Sequence, residues 1–286
     1  MDDYFRAKTR LFTEHMVEGG KAVLPVVEGR PESPAWLATL HEICAQAGKK
    51  VVSWGEGGTA SVSLVNHTAG LTRTDLVLHT PSGQHRFSTP LVGRFNIDNI
   101  LTVVAMSCAL GIDEAQSCRA LAVANGAPGR LERVSLGDDW PVQAPAVFVD
   151  YAHTPDALET VIEALRPHTK GRLWVVFGCG GDRDPGKRPE MGRIACRLAD
   201  KIVVTDDNPR SENPALIRSQ ILAACPGAKE IGDRRQAIHA AIAGLSAEDL
   251  LIVAGKGHER GQIVGKTVHP FNDADVVRDV LAEVRG

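Results

Sequence analysis

Residues 173–204 read LWVVFGCGGDRDPGKRPEMGRIACRLADKIVV, and this stretch is the most informative about the fold class. Leu173–Phe177 is a continuous apolar run, which is typical of a strand covered on both faces. A glycine-rich loop follows, and then a second apolar run at residues 202–205. Between the two runs, one face of a predicted helix carries Met191, Ile194, Ala195 and Leu198. This alternation of strand, helix and strand predicts a parallel sheet with right-handed crossovers.

The same pattern continues on both sides of this stretch. Further strands are predicted at residues 146–149 and Leu250–Ala254, with a hairpin at residues 263–268. Thr154 with Pro155, and Asp233, give helix start signals. The apolar faces of three more predicted helices carry Leu158, Val161, Ile162, Leu165, Ile238, Ala241, Ile242, Leu245, Val276, Val277, Val280 and Leu281. We therefore expect an α/β, Rossmann-like doubly wound domain over residues 137–286.

The first half of the chain is less regular. Residues 1–18 favour a helix, and residues 22–27 favour a strand that a polar, proline-containing loop follows. Alternating and helical patterns predict three strand regions and one helix at residues 51–65, 71–78, 87–91 and 96–110. We place the domain boundary near residue 136, in the Gly-, Asp- and Pro-rich segment 135–145, so that residues 1–136 form a separate domain.

Composition excludes several classes of function. The chain has 286 residues, enough for two domains, and its 43% hydrophobic and 23% charged content is that of an ordinary globular protein. A net charge of −3 gives no electrostatic case for a nucleic-acid or membrane partner. The acidic start Met1-Asp2-Asp3-Tyr4 argues against a secretory signal. Six cysteines without a CxxC pair indicate free thiols in the reducing cytoplasm.

Asp207-Asn208-Pro209-Arg210 follows directly on the strand predicted at residues 202–205. Loops at the carboxyl ends of strands in open α/β sheets are where ligands bind. This 207–210 loop offers a carboxylate, an amide and a guanidinium that can grip a carboxylate through two parallel hydrogen bonds. Taken alone, it is also an ordinary turn sequence. Its neighbours on the same edge of the sheet favour a binding site.

Three further loops end predicted strands at this edge. Residues 178–189 place glycines before charged residues and a helix predicted to begin at Pro189, so that backbone N–H groups can approach an anion. Asp150 could accept hydrogen bonds from ribose hydroxyls, and His153 could lie near phosphate or metal. Residues 254–259 end the last of these strands. Solvated loops and a structural histidine are the alternative interpretations, and the convergence of four loops favours a ligand crevice.

Four weaker candidates lie nearer the N-terminus. Asn96 is placed to cap the helix predicted at residues 96–110, and Asn99, one turn later, could contact a purine edge. Arg130 offers a guanidinium that could reach an ATP phosphate. Lys8 lies on the first predicted helix, where spacing alone indicates an ordinary exposed lysine.

Together these segments resemble the Mur ligases, ATP-dependent amide-forming enzymes of peptidoglycan synthesis. The resemblance extends over nearly the whole chain, and its most specific motifs match in order and spacing at residues 150–155, 178–189, 207–210 and 255–259. It is strongest to the members that add diaminopimelate to UDP-N-acetylmuramoyl-L-alanyl-D-glutamate. It implies the later part of the family's central ATP-binding domain over residues 1–136. A Rossmann-like amino-acid-binding domain would follow over residues 137–286.

The resemblance implies that Asp207, Asn208, Pro209 and Arg210 bind meso-diaminopimelate. The other residues implied to hold this amino acid are Arg183, Gly255 and Glu259. Arg183 and Arg210 can clamp a carboxylate, while Glu259 and the Gly255 carbonyl can bind the distal ammonium. Lysine-adding members lack the arginine at the end of the motif, so Arg210 is implied to select diaminopimelate.

A second implied site takes ATP and Mg²⁺. The residues that match the family's ATP contacts are Asn96, Asn99, Arg130 and Asp150. His153 matches the same site and is implied to act in catalysis. Lys8 matches a lysine that the family carbamylates with CO₂, and a carbamate is an oxygen ligand suited to Mg²⁺. In the implied reaction, ATP phosphorylates the D-glutamyl carboxylate, and the amine of diaminopimelate attacks the acyl phosphate.

The sequence departs from the family pattern in what precedes Lys8. It contains no GxxxxGK[ST] phosphate-binding loop, and Gly265-Lys266-Thr267 lies at a predicted hairpin tip without the upstream glycine. The family's UDP-binding domain, and its Mg²⁺-binding Glu and His, have no counterpart. We therefore expect a fragment, the later part of such an enzyme, that does not catalyse the ligase reaction alone.

Two other functions remain open. One is a non-catalytic remnant that binds only diaminopimelate. The other is a different ligase of the same superfamily, such as a folylpolyglutamate or cyanophycin synthetase, against which Arg210 argues. The expected partners are ATP, UDP-MurNAc-dipeptide and meso-diaminopimelate, and the chain is expected to be a cytoplasmic monomer.

Overall fold

The computed structural model describes residues 2–26, 35–136 and 145–285. The chain divides into two compact units, Met1–Asn125 and Gly126–Gly286, each of which is described by itself. The last residue of the strand predicted at 22–27, the proline-containing loop that follows it, and most of the linker predicted at 135–145 lie outside the described residues.

The N-terminal unit contains a five-stranded mixed sheet. Its first helix continues as a π-helical turn over Leu11–His15. The strands are β1 (Lys21–Pro25), β2 (Lys50–Glu56), β3 (Val62–Ala69), β4 (Thr74–Thr80) and β5 (Gly83–Thr89). They pair in sequence order, with β1, β2 and β3 parallel and β3, β4 and β5 antiparallel. The helices are α1 (Asp2–Arg10), α2 (Ala35–Gln46), α3 (Arg94–Leu110) and α4 (Glu114–Ala122).

Helix α3 forms the centre of the core in this unit. The residues predicted for its apolar face, Ile97, Ile100, Leu101 and Val104, are buried in one cluster with residues of β2, β3 and β4. The helix begins at Arg94 rather than at Asn96, and the residue before it is Gly93. The expectation that Asn96 caps this helix is therefore wrong. The Asn96 side chain instead donates to the Val92 carbonyl at 2.7 Å.

The C-terminal unit contains a six-stranded sheet. Its strands are β6 (Glu132–Val134), β7 (Ala146–Asp150), β8 (Leu173–Phe177), β9 (Lys201–Val204), β10 (Lys229–Glu230) and β11 (Leu250–Ala254). They lie in the order β10-β9-β8-β11-β7-β6, and every neighbouring pair is parallel except β6 with β7. The expected boundary at residue 136 falls inside this unit, because β6 pairs with β7.

Within its described residues, this unit also contains five α-helices and a hairpin. They are α5 (Pro155–Leu165), α6 (Lys187–Leu198), α7 (Pro214–Leu222), α8 (Arg234–Ala243) and α9 (Asp273–Arg285), with β12 (Gly261–Val264) and β13 (Thr267–Pro270). The predicted caps are confirmed: Thr154 accepts from the Ala157 N–H, and Asp233 from the Gln236 N–H. Helix α6 begins at Lys187, two residues before the predicted start at Pro189.

The predicted doubly wound parallel sheet is confirmed in this unit. All residues of β7 and β11 are buried, as expected for continuous apolar strands with both faces covered. All six cysteines are free thiols, as predicted. In the parts of the chain that the structure describes, no helix is long and apolar enough to cross a bilayer.

Candidate functional site

The loops after β7, β8, β9 and β11 are joined by direct hydrogen bonds. The Gly181 N–H donates to the Asn208 carbonyl at 2.9 Å, which links the loops after β8 and β9. Asn208 Nδ2 donates to Glu259 Oε2 at 2.8 Å, which adds the loop after β11. Lys187 Nζ donates to the His153 carbonyl at 2.8 Å, at the end of β7. The predicted convergence of four loops at one edge of the sheet is confirmed.

The side chain of Asn208 connects the loop after β9 with the loop after β11 and with β12. Its side chain is buried, and its Oδ1 accepts from Lys256 Nζ at 3.0 Å and from the Ile263 N–H at 2.9 Å. Its Nδ2 is bound to Glu259. A buried amide with its oxygen doubly bonded holds a fixed orientation. Asn208 thus sets the position of the 207–210 loop against β11 and β12.

Arg210 is held through its backbone while its guanidinium keeps free donors. It has a positive φ of 52°, its N–H donates to the Ile263 carbonyl at 3.0 Å, and its carbonyl accepts from the Gly265 N–H at 2.7 Å. Its Nη1 donates to the Gly181 carbonyl at 2.8 Å. Within the described ranges, neither Arg210 nor the exposed Arg183 forms an ion pair with a carboxylate. Their unused donors are available for a bound anion.

The glycine-rich loop after β8 rests on a buried arginine that sequence reasoning missed. Arg188 is 2% exposed, and its Nη2 donates to the Gly180 carbonyl at 3.3 Å and to Glu212 Oε1 at 2.8 Å. The same Glu212 oxygen accepts from the Asp182 N–H at 2.6 Å. Hydrogen bonding from Arg188, followed by that from the Asp182 N–H, lowers the pKa of the Glu212 carboxyl. The ionised Glu212 therefore fixes the loop that carries Arg183.

Gly255 makes room for the carboxyl group of Asp207. At φ 117°, Gly255 adopts a conformation that side chains rarely tolerate, and a Cβ there would lie 2.7 Å from Asp207 Oδ2. This oxygen is buried and has no hydrogen-bond partner among the described residues. Burial raises the pKa of the Asp207 carboxyl, against the opposing charges of Arg234 and Lys256. Close contact between these two loops thus depends on glycine at position 255.

Lys256 and Glu259 form an ion pair within the loop after β11. The Lys256 side chain is fully buried, and its Nζ lies 2.9 Å from Glu259 Oε2. Burial alone would raise the pKa of the Glu259 carboxyl, but hydrogen bonds from Lys256 and Asn208 lower it below its ordinary value. Glu259 is therefore an anion at the rim that also carries Arg210.

A second cluster surrounds Tyr151, after β7. The Arg130 guanidinium lies 4.7 Å from the centre of the Tyr151 ring, which is within the range of a cation–π contact. The rings of His153 and His258 lie 4.5 Å and 5.3 Å from the same ring. A cavity of about 980 Å³ opens beside Arg130 and His258. The other charged residues of its lining are Arg235, Arg260, Arg278, Glu132 and Asp275, and Arg278 is paired with both of these carboxylates. Among the described residues Arg130 and Arg260 form no ion pair, so these two cations are suited to an anionic ligand.

Asp150 has a structural role that the sequence did not suggest. Its Oδ2 accepts from the Leu131 N–H at 2.7 Å, and its Oδ1 accepts from the Ala152 N–H at 2.8 Å. Burial raises the pKa of the Asp150 carboxyl, and these two backbone hydrogen bonds oppose the rise. Asp150 thus fastens the segment before β6 to the end of β7. Any ligand hydroxyl would use the remaining lone pairs of these oxygens.

Lys8, Asn96 and Asn99 belong to the N-terminal unit. Lys8 is exposed on α1, and its Nζ lies 5.4 Å from the centre of the Tyr4 ring. Asn99 is exposed, and its Nδ2 donates to Asn96 Oδ1 at 3.3 Å. Over residues 2–26, 35–136 and 145–285, no group of three or more His, Cys, Asp or Glu side chains could hold a metal ion.

Comparison with known proteins gives matches over both units. A model described as "Mur ligase middle domain" matches residues 1–107, and one described as "Mur ligase, glutamate ligase domain" matches residues 129–257. Two curated relatives carry the name UDP-N-acetylmuramoyl-L-alanyl-D-glutamate–2,6-diaminopimelate ligase. The one from Caulobacter vibrioides is 49% identical and aligns with 100% of this chain and 56% of its own length. The one from Mesorhizobium japonicum is 46% identical, over 99% of this chain and 56% of its own length.

A solved structure with the same enzyme name is also similar. It is 32% identical in sequence, with a TM-score of 0.67, and the match covers 100% of this chain and 57% of that structure's chain. The chain thus spans a little over half the length of the relatives that it matches.

Proposed function

This chain belongs to the Mur ligase family, and on that premise we propose that it is part of an ATP-dependent ligase of peptidoglycan precursor synthesis. The proposed reaction joins meso-diaminopimelate to the D-glutamyl residue of UDP-N-acetylmuramoyl-L-alanyl-D-glutamate. The names of the relatives support both substrates. The expectations of a cytoplasmic monomer stay predictions.

The proposed site for diaminopimelate is the 207–210 loop with Arg183, Gly255 and Glu259. One observation carries this proposal. The guanidinium of Arg210, which has free donors, and the ionised carboxylate of Glu259 lie around the buried amide of Asn208. An amino-acid centre presents a carboxylate and an ammonium together, so this pair of charges is complementary to it. Diaminopimelate has two such centres, and one can be held while the other reacts.

In the proposed reaction, these residues position the amine. Arg183 and Arg210 hold the distal carboxylate, and Glu259 with the Gly255 carbonyl holds the distal ammonium. The other amino group then faces the acyl phosphate formed on the D-glutamyl residue. Orientation of two reactants in one geometry lowers the barrier without any covalent role for the protein. The hydrogen bonds of Asn208 and Glu212 keep the loops in this geometry.

For ATP, we propose contacts in each unit by itself. In the C-terminal unit, Arg130, beside the cavity, would bind a phosphate, with His153 near it, and Asp150 would use its remaining lone pairs for a ribose hydroxyl. In the N-terminal unit, Asn96 and Asn99 are the proposed nucleotide contacts. Carbamylated Lys8 stays a predicted Mg²⁺ ligand. We assign no step of the reaction to Mg²⁺.

Calorimetric titration of the chain with three amino acids tests the proposed function. We expect meso-diaminopimelate to bind. L-Lysine, which lacks the distal carboxylate, should bind with an affinity at least about tenfold lower. L-Glutamate, the substrate class of folylpolyglutamate ligases, should not compete. Equal affinity for lysine and diaminopimelate, or preference for glutamate, would overturn the proposed substrate.

A further inference from the structure

We propose that Lys256 is a positioning residue that determines specificity for the distal ammonium group of the amino acid. It binds one oxygen of Glu259 and leaves the other oxygen facing the ligand. This role rests on the proposed function. It adds the origin of the specificity for the distal ammonium at the same site. Lys256 does not itself touch the ligand.

The position of Lys256 excludes direct contact with a ligand. Its side chain is fully buried, and its Nζ is bound to Glu259 Oε2 at 2.9 Å and to Asn208 Oδ1 at 3.0 Å. A buried ammonium is costly unless it is paired and hydrogen-bonded, so these two acceptors are required for the lysine to be there. Lys256 therefore acts through Glu259 and Asn208.

The two oxygens of Glu259 have different environments. Oε2 accepts from Lys256 and also from Asn208 Nδ2, at 2.8 Å. Oε1 has no hydrogen bond to any described residue, and the side chain is 32% exposed. Because two donors hold Oε2, the carboxylate cannot rotate freely, and Oε1 is the oxygen that remains free to bind a ligand. An ammonium group would bind there with charge assistance.

Lys256 also keeps the Glu259 carboxyl ionised. The charged groups that act on Glu259 are Lys256, Arg210, Arg234 and Asp207. Among them, Lys256 makes the direct hydrogen bond and has the largest effect in keeping Glu259 ionised. Without it, the half-buried carboxyl of Glu259 would lose its nearest cation and remain near Asp207. A protonated Glu259 would no longer attract an ammonium.

The test compares two dicarboxylates that differ only in their amino groups. The 286-residue chain is titrated calorimetrically with meso-diaminopimelate and with pimelate, which has both carboxylates but no amino group to place on Glu259. We expect the wild type to prefer diaminopimelate by about tenfold or more, the range for a charge-assisted hydrogen bond. In Lys256→Met, we expect this preference to fall below about threefold through loss of the held Glu259 carboxylate.

Two control variants separate positioning from general destabilisation. Lys266→Met removes an exposed lysine at the β12–β13 turn and should leave the preference unchanged. Asp249→Asn removes the buried carboxylate of the Arg172–Asp249 ion pair. Asp249 lies just before β11, at the opposite end of that strand from Lys256. The substitution should lower the melting temperature without changing the preference.

A second variant covers the case in which Lys256→Met does not fold. Lys256→Gln keeps a neutral hydrogen-bond donor but removes the charge. As pH falls, Glu259 takes up a proton and the preference for diaminopimelate is lost. We expect this loss at a higher pH in Lys256→Gln than in the wild type. The wild type itself should keep its preference at about pH 5.

The outcomes distinguish failure of the proposed ligand from failure of the proposed role of Lys256. If the wild type does not prefer diaminopimelate over pimelate, the proposed ligand and the role of Lys256 are both overturned. If the wild type shows the preference and Lys256→Met or Lys256→Gln keeps it with an unchanged pH midpoint, only the role of Lys256 is overturned. Loss of the preference in Lys256→Met, or its loss at a higher pH in Lys256→Gln, with an unchanged preference in both control variants, supports it.

Discussion

Arg234 and Asp273 form a fully buried ion pair, with Nε–Oδ1 and Nη2–Oδ2 distances of 2.7 Å each. Arg234 Nη2 also donates to the Ala254 carbonyl at 2.9 Å, at the end of β11. Burial alone would lower the pKa of the Arg234 guanidinium, but the charge of Asp273 raises it overall. The first residues of α8 and α9 therefore hold the strand end that precedes Gly255.

Removal of one partner from this pair should be strongly destabilising. Asp273→Ala leaves a buried guanidinium without its counter-charge, and we expect the free energy of unfolding of the C-terminal unit to fall by about 3–5 kcal/mol. Urea denaturation measures the change. As a control, Asp279→Ala breaks the exposed pair with Arg235 and should cost no more than about 1 kcal/mol. Equal losses in the two variants would contradict the importance of the buried pair.

The close approach of the loops after β8 and β9 depends on Gly181. A Cβ at this position would lie 2.0 Å from the Pro209 carbonyl oxygen, so one of the two loops must move. We expect Gly181→Ala to lower the free energy of unfolding by about 1–3 kcal/mol, and to weaken diaminopimelate binding. Gly227→Ala, where nothing lies within 4 Å of the added Cβ, should change stability by no more than about 0.5 kcal/mol. If both variants behave alike, the loops do not pack as described.

Arg210→Lys tests whether the shape of the cation matters. Lysine keeps the positive charge but loses the planar fork that binds a carboxylate through two hydrogen bonds. We expect the affinity for meso-diaminopimelate to fall about tenfold or more, with a smaller change for L-lysine. Arg193→Lys, on the exposed side of α6, is the matched control and should bind like the wild type. Unchanged affinity in Arg210→Lys would remove Arg210 from the binding site.

Lowering the pH should remove the contribution of the Asp249 carboxylate to the free energy of unfolding. Burial raises the pKa of this carboxyl, but hydrogen bonds from the Ser246 and Arg172 N–H groups and the Arg172 side chain lower it overall. Because the folded-state pKa is depressed, the stabilisation is complete above the unfolded pKa of about 3.9 and is lost as pH falls through the folded value. We expect Asp249→Asn to cost about 1–3 kcal/mol at neutral pH.

The pH dependence of that difference is the measurement. Free energies of unfolding of the wild type and Asp249→Asn should converge as pH falls from about 5 toward 3, since the wild type then loses its carboxylate. A difference that stays constant over this range would show that the charge of Asp249 contributes nothing.

The arrangement of the C-terminal sheet was predictable because its central strands are continuous apolar runs. Leu173–Phe177 and Leu250–Ala254 occupy the predicted positions, and the parallel pairing brings their carboxyl ends together. Helix α7 was missed although Asn213 and Pro214 give a start signal, because its few buried positions make a weak pattern. The two-residue strand β10 has no sequence signal of its own.

The polar interior of the site was only partly predictable. Glu259 and the 207–210 loop carry visible motifs, whereas Lys256 and Arg188 look like surface cations in the sequence. Their burial depends on acceptors far along the chain, such as Asn208 and Glu212, so that only the folded contacts reveal it. For the same reason, the bonding of Asp150 to backbone N–H groups could not be predicted.

A crystal structure of the wild-type chain grown with saturating meso-diaminopimelate would show directly whether the 207–210 loop binds this amino acid. We expect one end of the amino acid at the 207–210 loop, with its carboxylate on the guanidinium of Arg210 and its ammonium on Glu259 Oε1. Asn208 and Lys256 should keep the hydrogen bonds that they have in the free chain. An empty loop at saturation, or a ligand held elsewhere in the C-terminal unit, would contradict it.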